Sequence, residues 1–196
     1  MQGADTAARI VADDLACRRG DRVLFRGLSF TLQPGEALQV SGANGVGKSS
    51  LLRLAAGLAR PFAGTIRHQG TIGLVDERPA LDHELPLAAA LAFWTRLDGG
   101  GSLPLEALGL TDLLDVPVRY LSTGQRKRAA MARLIGQDAA IWLLDEPLNG
   151  LDTHAVHLVE ALTAAHCAAG GIALIASHQP FALPGLAQLA LADYTA

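Results

Sequence analysis

The sequence predicts an α/β fold built on a mostly parallel central sheet. Three observations predict it: strand-like and helix-like segments alternate along the chain, several strands are near-continuous apolar runs, and a glycine-rich loop joins one of them to a helix. Half of the residues (50%) are hydrophobic, while 18% are charged and 5% aromatic. That Ala/Leu/Gly-rich balance suits buried parallel strands covered by helices and excludes a disordered chain.

From about Ile10 to Cys17 and from about Leu28 to Gln33, apolar and polar positions alternate, which predicts half-buried antiparallel strands leading to a Pro34-Gly35 turn. Ala37 to Ser41 reads as a buried strand. After the glycine-rich loop, Ser49 to Leu58 places Leu51, Leu52, Leu54, Ala55 and Leu58 at helical spacing, a face suited to packing on a sheet. Strand-like pieces surround Ile66 and cover Ile72 to Val75, and Leu85 to Leu97 is expected to be helical. Gly99-Gly100-Gly101-Ser102 interrupts the pattern and is expected to be a flexible surface turn within an inserted helical region. A helix is predicted over Gly124 to Ile135, then a short apolar strand, Ile141 to Leu144, ending in two acids. Thr153 to Ala169 follows as a helix, Ile172 to Ala176 as a buried strand and Leu186 to Ala192 as an edge piece. No internal repeat interrupts this order.

A chain of 196 residues is long enough for one domain with a substantial core, so residues 1–196 are expected to form a single domain, with approximately 78–136 as the inserted helical subdomain. Net charge is only −3, and Lys and Arg are scattered apart from a short cluster at Arg126, Lys127 and Arg128. No basic stripe is available to hold a phosphate backbone, so no nucleic-acid partner is expected. Cys17 and Cys167 fit no metal or redox spacing and read as small reduced core residues, in keeping with a reducing compartment. The N-terminal stretch is too charged for a secretory signal and no apolar run reaches about eighteen residues, so any membrane role is expected to come through a partner.

Gly42-Ala43-Asn44-Gly45-Val46-Gly47-Lys48-Ser49 matches G-x-x-x-x-G-K-[ST] between a predicted strand and a predicted helix, the context that distinguishes this motif from an ordinary glycine-rich turn. Its glycines let backbone N–H groups converge on an anion, and the helix that follows, through Ser50, presents its positive end to the same phosphates. Lys48 is expected to span the β- and γ-phosphates of a nucleotide, and Ser49 to give its hydroxyl to Mg²⁺. Asp145 and Glu146 stand at the carboxyl end of an apolar strand, where α/β sheets bind ligands. Asp145 is expected to hold Mg²⁺ through water, and Glu146 to orient and activate the attacking water.

Leu121-Ser122-Thr123-Gly124-Gln125 resembles the LSGGQ signature of the ABC ATPases, with Thr123 in place of the first glycine. Standing alone, Ser122 and Gln125 would read as a helix capping box. Leu148-Asn149-Gly150-Leu151-Asp152 looks like the D-loop of that family, and Ser177-His178 like its switch histidine. These motifs thus stand in the family's order over essentially the whole chain. The resemblance implies a P-loop NTPase of ABC type with an N-terminal antiparallel β subdomain and a small helical subdomain carrying the signature. It implies ATP with Mg²⁺, hydrolysis at Glu146 with His178 on the γ-phosphate, and a second copy of the chain. Each ATP would lie between one protomer's Lys48 loop and the other's Ser122, Gly124 and Gln125. Two departures stand out. Glu77 occupies the place of the family's Q-loop glutamine, keeping an oxygen for Mg²⁺ while adding charge beside other acids. The loop Cys17-Arg18-Arg19-Gly20 lacks the aromatic residue that stacks on adenine, leaving Arg18 or Arg19 either to stack there or to be solvated.

Leu121 to Leu134, Leu91 to Trp94 and Ser177-His178-Gln179-Pro180 together resemble the ATP-binding subunits of the haem exporter of bacterial cytochrome c maturation, the CcmA family. That likeness implies a peripheral protein on the cytoplasmic face of the inner membrane, working with a polytopic CcmB-like subunit. Phe93 and Trp94 lie either near that partner or in the helix core, with the core the better expectation. The general motifs leave two alternatives open: the ATPase of another small exporter or lipoprotein-release system, and a soluble ABC ATPase without a transporter.

Overall fold

The computed structural model describes residues 7–99 and 101–195. In chain order the elements are β1 (Arg9–Arg19), β2 (Arg22–Leu32), β3 (Ala37–Ser41), α1 (Lys48–Ala55), β4 (Ala63–Gln69) and β5 (Ile72–Val75), followed by α2 (Leu87–Leu97), α3 (Thr123–Gly136), β6 (Ile141–Asp145), α4 (Thr153–Ala168), β7 (Ile172–Ala176) and β8 (Ala187–Ala190). Among the described residues β2, β1 and β4 form an antiparallel sheet, and a parallel sheet runs β5-β6-β7-β3-β8.

Side-chain alternation divides the core into two layers on either face of the parallel sheet. Ile141, Leu143, Ile172 and Leu174 pack with α1 residues Leu51 and Leu52 and with Ile10, Leu15, Phe25 and Leu28 of the antiparallel sheet. Trp142, Leu144, Ala173 and Ile175 face the other way, toward Leu87 and Leu91 of α2, Met131 and Leu134 of α3 and Val159 of α4. Both faces of β6 and β7 are therefore covered, which is why these strands carry no polar alternation.

The structure moves several expected boundaries. β2 starts at Arg22 rather than near Leu28, because it pairs with β1 from Arg19↔Arg22 up to Ile10↔Leu32. Register shifts along β1 put adjacent Leu24 and Phe25 both into the core, which hides this half of the strand from a period-two count. α1 ends at Ala55 instead of Leu58; a turn at Gly57 carries Leu58 into solvent at 68% exposure. Phe93 is likewise exposed rather than core, while Trp94 beside it donates from Nε1 to the Ala80 carbonyl (2.6 Å) under the Arg133 guanidinium.

Gly101 is not simply a loose turn residue. A Cβ there would collide with the carbonyl oxygen of Gly136 at the end of α3, so a close backbone approach requires glycine. Gly100 lies outside the described residues. The cluster at Arg126 to Arg128 is not a basic patch, since on α3 the three side chains diverge. Arg126 donates to the Leu121 carbonyl (2.8 Å), Arg128 to that of Leu108 (2.6 Å), and Lys127 turns inward. Cys17 and Cys167 are both free and buried. No described helix is long and apolar enough to cross a membrane.

Candidate functional site

Strand order, not sequence order, assembles the site. β5, β6, β7 and β3 are consecutive neighbours and parallel, so their carboxyl ends gather four distant segments: Asp76-Glu77, Asp145-Glu146, Ser177-His178 and the loop Gly42 to Ser49. Ligands bind at this edge of parallel α/β sheets because loops and helix N-termini converge there.

A cavity of about 590 Å³ opens among them, lined by Asn44, Gly45, Gly47, Lys48, Ser49 and Ser50 on the loop side and by Glu77, Glu146, Asn149 and His178 opposite. Gly47 sits at φ +120°, and a Cβ there would press on the Phe25 ring at 3.1 Å, so the loop comes flush onto the core only as glycine. Gly42 and Ala43 turn their carbonyls to Lys48 Nζ at 2.8 and 3.5 Å. The Val46 side chain packs into the core layer, and its N–H donates to the Ala43 carbonyl (3.3 Å).

Lys48, nearly buried, also pairs with Glu146 Oε1 at 3.3 Å. The other carboxylate oxygen, Oε2, accepts from His178, whose Nδ1 lies at 2.8 Å and backbone N–H at 3.3 Å. Glu146 is thus gripped from both sides and adopts φ +46°, a left-handed backbone that costs a non-glycine residue about 1–3 kcal/mol. Such strain persists only where surrounding contacts over-determine it.

Asp145 is buried behind Glu146, and burial raises its carboxyl above the ordinary value, against a lowering hydrogen bond with the Ser49 hydroxyl. Its Oδ1 is buried without a partner. Asp145, Ser49 and Glu77 border an adjoining cavity of about 570 Å³. Among the described residues no group of three or more His, Cys, Asp or Glu stands ready to hold a metal by itself. Arg19, Arg22 and Leu24 also line the main cavity, while Arg18 lies over the Phe62 ring, 4.7 Å from its centroid.

Ser122, Gly124 and Gln125 do not line this cavity. They open α3 as a capping box: Ser122 Oγ accepts from the Gln125 N–H (3.1 Å) and Gln125 Oε1 from the Ser122 N–H (2.7 Å). Ser122 is exposed, so this helix start is presented outward. Three further residues at the site were not read as site residues from the sequence, although Asn149 stood in the D-loop-like run and Lys127 in the short cation cluster. Asn149 joins the cavity wall and accepts from Gln179 Nε2 (3.0 Å), and Arg22 reaches it through the β1–β2 hairpin. Lys127, 3% exposed, donates from Nζ to the Glu146 carbonyl. A lysine on an otherwise apolar helix face is the one signal that could have flagged it.

A glycine-rich loop feeding a helix, with two acids at the end of β6, one strand removed in the same parallel sheet, and a polar cavity between them, defines a P-loop nucleotide-binding protein. The family model for ABC transporters matches residues 25–149. The "Cytochrome c biogenesis ATP-binding export protein CcmA" of Novosphingobium aromaticivorans is 58% identical over 185 residues, covering 94% of this chain and 96% of that one. Its counterpart in Sphingopyxis alaskensis is 52% identical, covering 93% and 96%. A solved ATP-binding subunit of an ABC transporter superposes with TM-score 0.78 at 23% identity, covering 86% of this chain and 79% of the other, a likeness of fold. The chain belongs to the ABC transporter family, in the branch formed by the CcmA proteins, and its P-loop domain is an ATP-binding one.

Proposed function

We propose that this chain is the ATP-hydrolysing subunit of a haem exporter serving cytochrome c biogenesis. It would lie peripherally on the cytoplasmic face of the bacterial inner membrane and drive a polytopic CcmB-like partner. The observation that carries the ATPase reading is the meeting of Lys48, Glu146 and His178 on one cavity walled by the glycine-rich loop. The export assignment draws on the CcmA relatives.

In this reading residues 1–196 act as one domain, with approximately 78–136 as a helical subdomain that carries the signature. Two copies sandwich two ATP molecules. Backbone N–H groups of Gly42 to Ser50 and the start of α1 hold the phosphates, and Lys48 exchanges its present partners for β- and γ-oxygens. The outward-facing Ser122, Gly124 and Gln125 complete the partner copy's site with a second helix N-terminus. Ser49 and Asp145 would hold a Mg²⁺ ion, since an unpartnered buried carboxylate oxygen and a hydroxyl that interacts with the same carboxyl are hard oxygen donors, and exposed Glu77, which borders the same cavity, would add an oxygen. Bound there it would neutralise charge on the phosphates.

Glu146 takes a proton from the water that attacks the γ-phosphorus while the bond to the ADP leaving oxygen breaks. His178 keeps the carboxylate aimed through its Nδ1 contact. Loss of the γ-phosphate removes contacts made only in the closed dimer, and opening is passed to the membrane subunit. Isolation of the tagged full chain from membranes tests the assignment: recovery with a polytopic partner supports it, and recovery with ribosomes or DNA refutes it. Lys48→Ala should weaken MgATP binding by about 10–100-fold, and unchanged affinity by calorimetry contradicts the loop's role.

A further inference from the structure

Lysine is almost never buried unless something pairs with it, and Lys127 is 3% exposed in the body of α3. Its ammonium meets the carbonyl oxygen of Glu146, the residue held at φ +46°. Two backbone hydrogen bonds hold the peptides on either side of the same residue: the Glu146 N–H donates to the Ala176 carbonyl (2.8 Å), and the Asn149 N–H donates to the Glu146 carbonyl (3.3 Å). Four acids, Asp145, Glu146, Glu77 and Asp76, act electrostatically on the Lys127 ammonium. Burial pushes its pKa down and these acids push it up. If the position only filled space, an apolar side chain of similar length would do so without the cost of removing a charge from water.

We propose that Lys127 is a positioning residue for ATP hydrolysis: it clamps the left-handed backbone of Glu146 from α3, so that the carboxylate stays aimed between Lys48 and His178. The proposal rests on Glu146 being the group that activates water. Without the clamp the Glu146 peptide relaxes toward an ordinary conformation, carrying the carboxylate off its aim, while the loop that holds the phosphates is left intact. The same lysine ties the helix that starts at the signature to Glu146, the residue directly after β6, and it supplies positive charge where Glu77 adds a negative one.

The test compares the full chain with Lys127→Met and Lys127→Arg in four measurements: MgATP affinity by calorimetry, phosphate release at saturating MgATP, melting temperature, and hydrogen exchange of the amides within residues 146–149, where Pro147 has none. Lys127→Met should keep its MgATP affinity, lose about 100-fold in kcat, as misplacement of a catalytic group by about 1 Å does, and exchange faster at 146–149. Lys127→Arg should recover part of the loss. Wild-type kcat in Lys127→Met with unchanged exchange overturns the clamp. A parallel fall of affinity, melting temperature and kcat overturns it too, by assigning the lysine a merely structural role. Failure of the wild-type chain to bind or hydrolyse MgATP would instead defeat the ATPase reading, and the exchange measurement would still judge the clamp.

Discussion

Replacing Glu146 by glutamine should slow the chemistry and tighten nucleotide binding at once, which is a sharper expectation than loss of activity alone. Lys48 Nζ lies 3.3 Å from Glu146 Oε1, with side chains 6% and 12% exposed. At an effective dielectric of about 20 that separation corresponds to about 5 kcal/mol of Coulomb attraction, before the lost hydration of both groups is subtracted. A hydrogen bond to a charged group keeps about 1.5–3 kcal/mol net, and incoming phosphate oxygens must compete with it for Lys48. Glutamine retains the shape and an acceptor oxygen but drops the charge, and it also removes a negative group facing the γ-phosphate. MgATP affinity of Glu146→Gln should therefore rise about tenfold, for about 1.4 kcal/mol. Loss of the general base should cut kcat by about 10²–10⁴. Calorimetry and single-turnover phosphate release measure the two effects, and light scattering should find the variant dimeric with MgATP. Equal or weaker affinity would refute the competition argument, and retained turnover would refute the role of Glu146.

The outward signature predicts complementation. Lys48→Ala and Ser122→Phe chains should each be inactive alone yet recover turnover when mixed, because one of the two mixed sites combines an intact loop with an intact signature; no recovery argues against shared sites. Gly101→Ala should destabilise the fold by about 1–3 kcal/mol, since the added Cβ meets the Gly136 carbonyl, and an unchanged melting temperature would contradict that packing. His166 stacks on Trp142 with ring centroids 4.0 Å apart, and burial holds its pKa below the ordinary value of about 6.5. Below that pH the unfolded chain takes up the proton first, so this residue's contribution falls as pH drops and is constant above it. His166→Phe, which keeps the stack, should flatten that part of the stability–pH profile; an unchanged slope in denaturant titrations rules the residue out as its source.

Chemistry carried by contiguous residues was legible without coordinates. Gly42 to Ser49 is recognisable because the phosphate-loop pattern it matches is one short run of backbone, and an apolar strand leading into Asp145-Glu146 shows both its burial and its exit. The antiparallel hairpin was legible only in part, since register shifts in β1 break the alternation that a period-two reading needs. Leu58 and Phe93 were misplaced because helical spacing reports which residues share a face, not where the helix stops or what lies opposite.

Lys127 shows the limit most clearly. Along the chain it belongs to a run of three cations on a helix, and its meaning depends on which one points inward, toward a carbonyl contributed by another element.

By itself, then, the sequence determined the order of the elements though not all their bounds, the match to the phosphate-loop pattern, the order of the motifs and the family they signal, because each is encoded in local spacing. Tertiary structure decided the rest: that β6, β7 and β3 lie side by side so that Glu146 bridges Lys48 and His178, that Asp145 Oδ1 is left buried and unpartnered, and that the signature faces away from its own cavity. The physical reason is that strand pairing and burial act between residues distant along the chain, through contacts that no local pattern of side chains records.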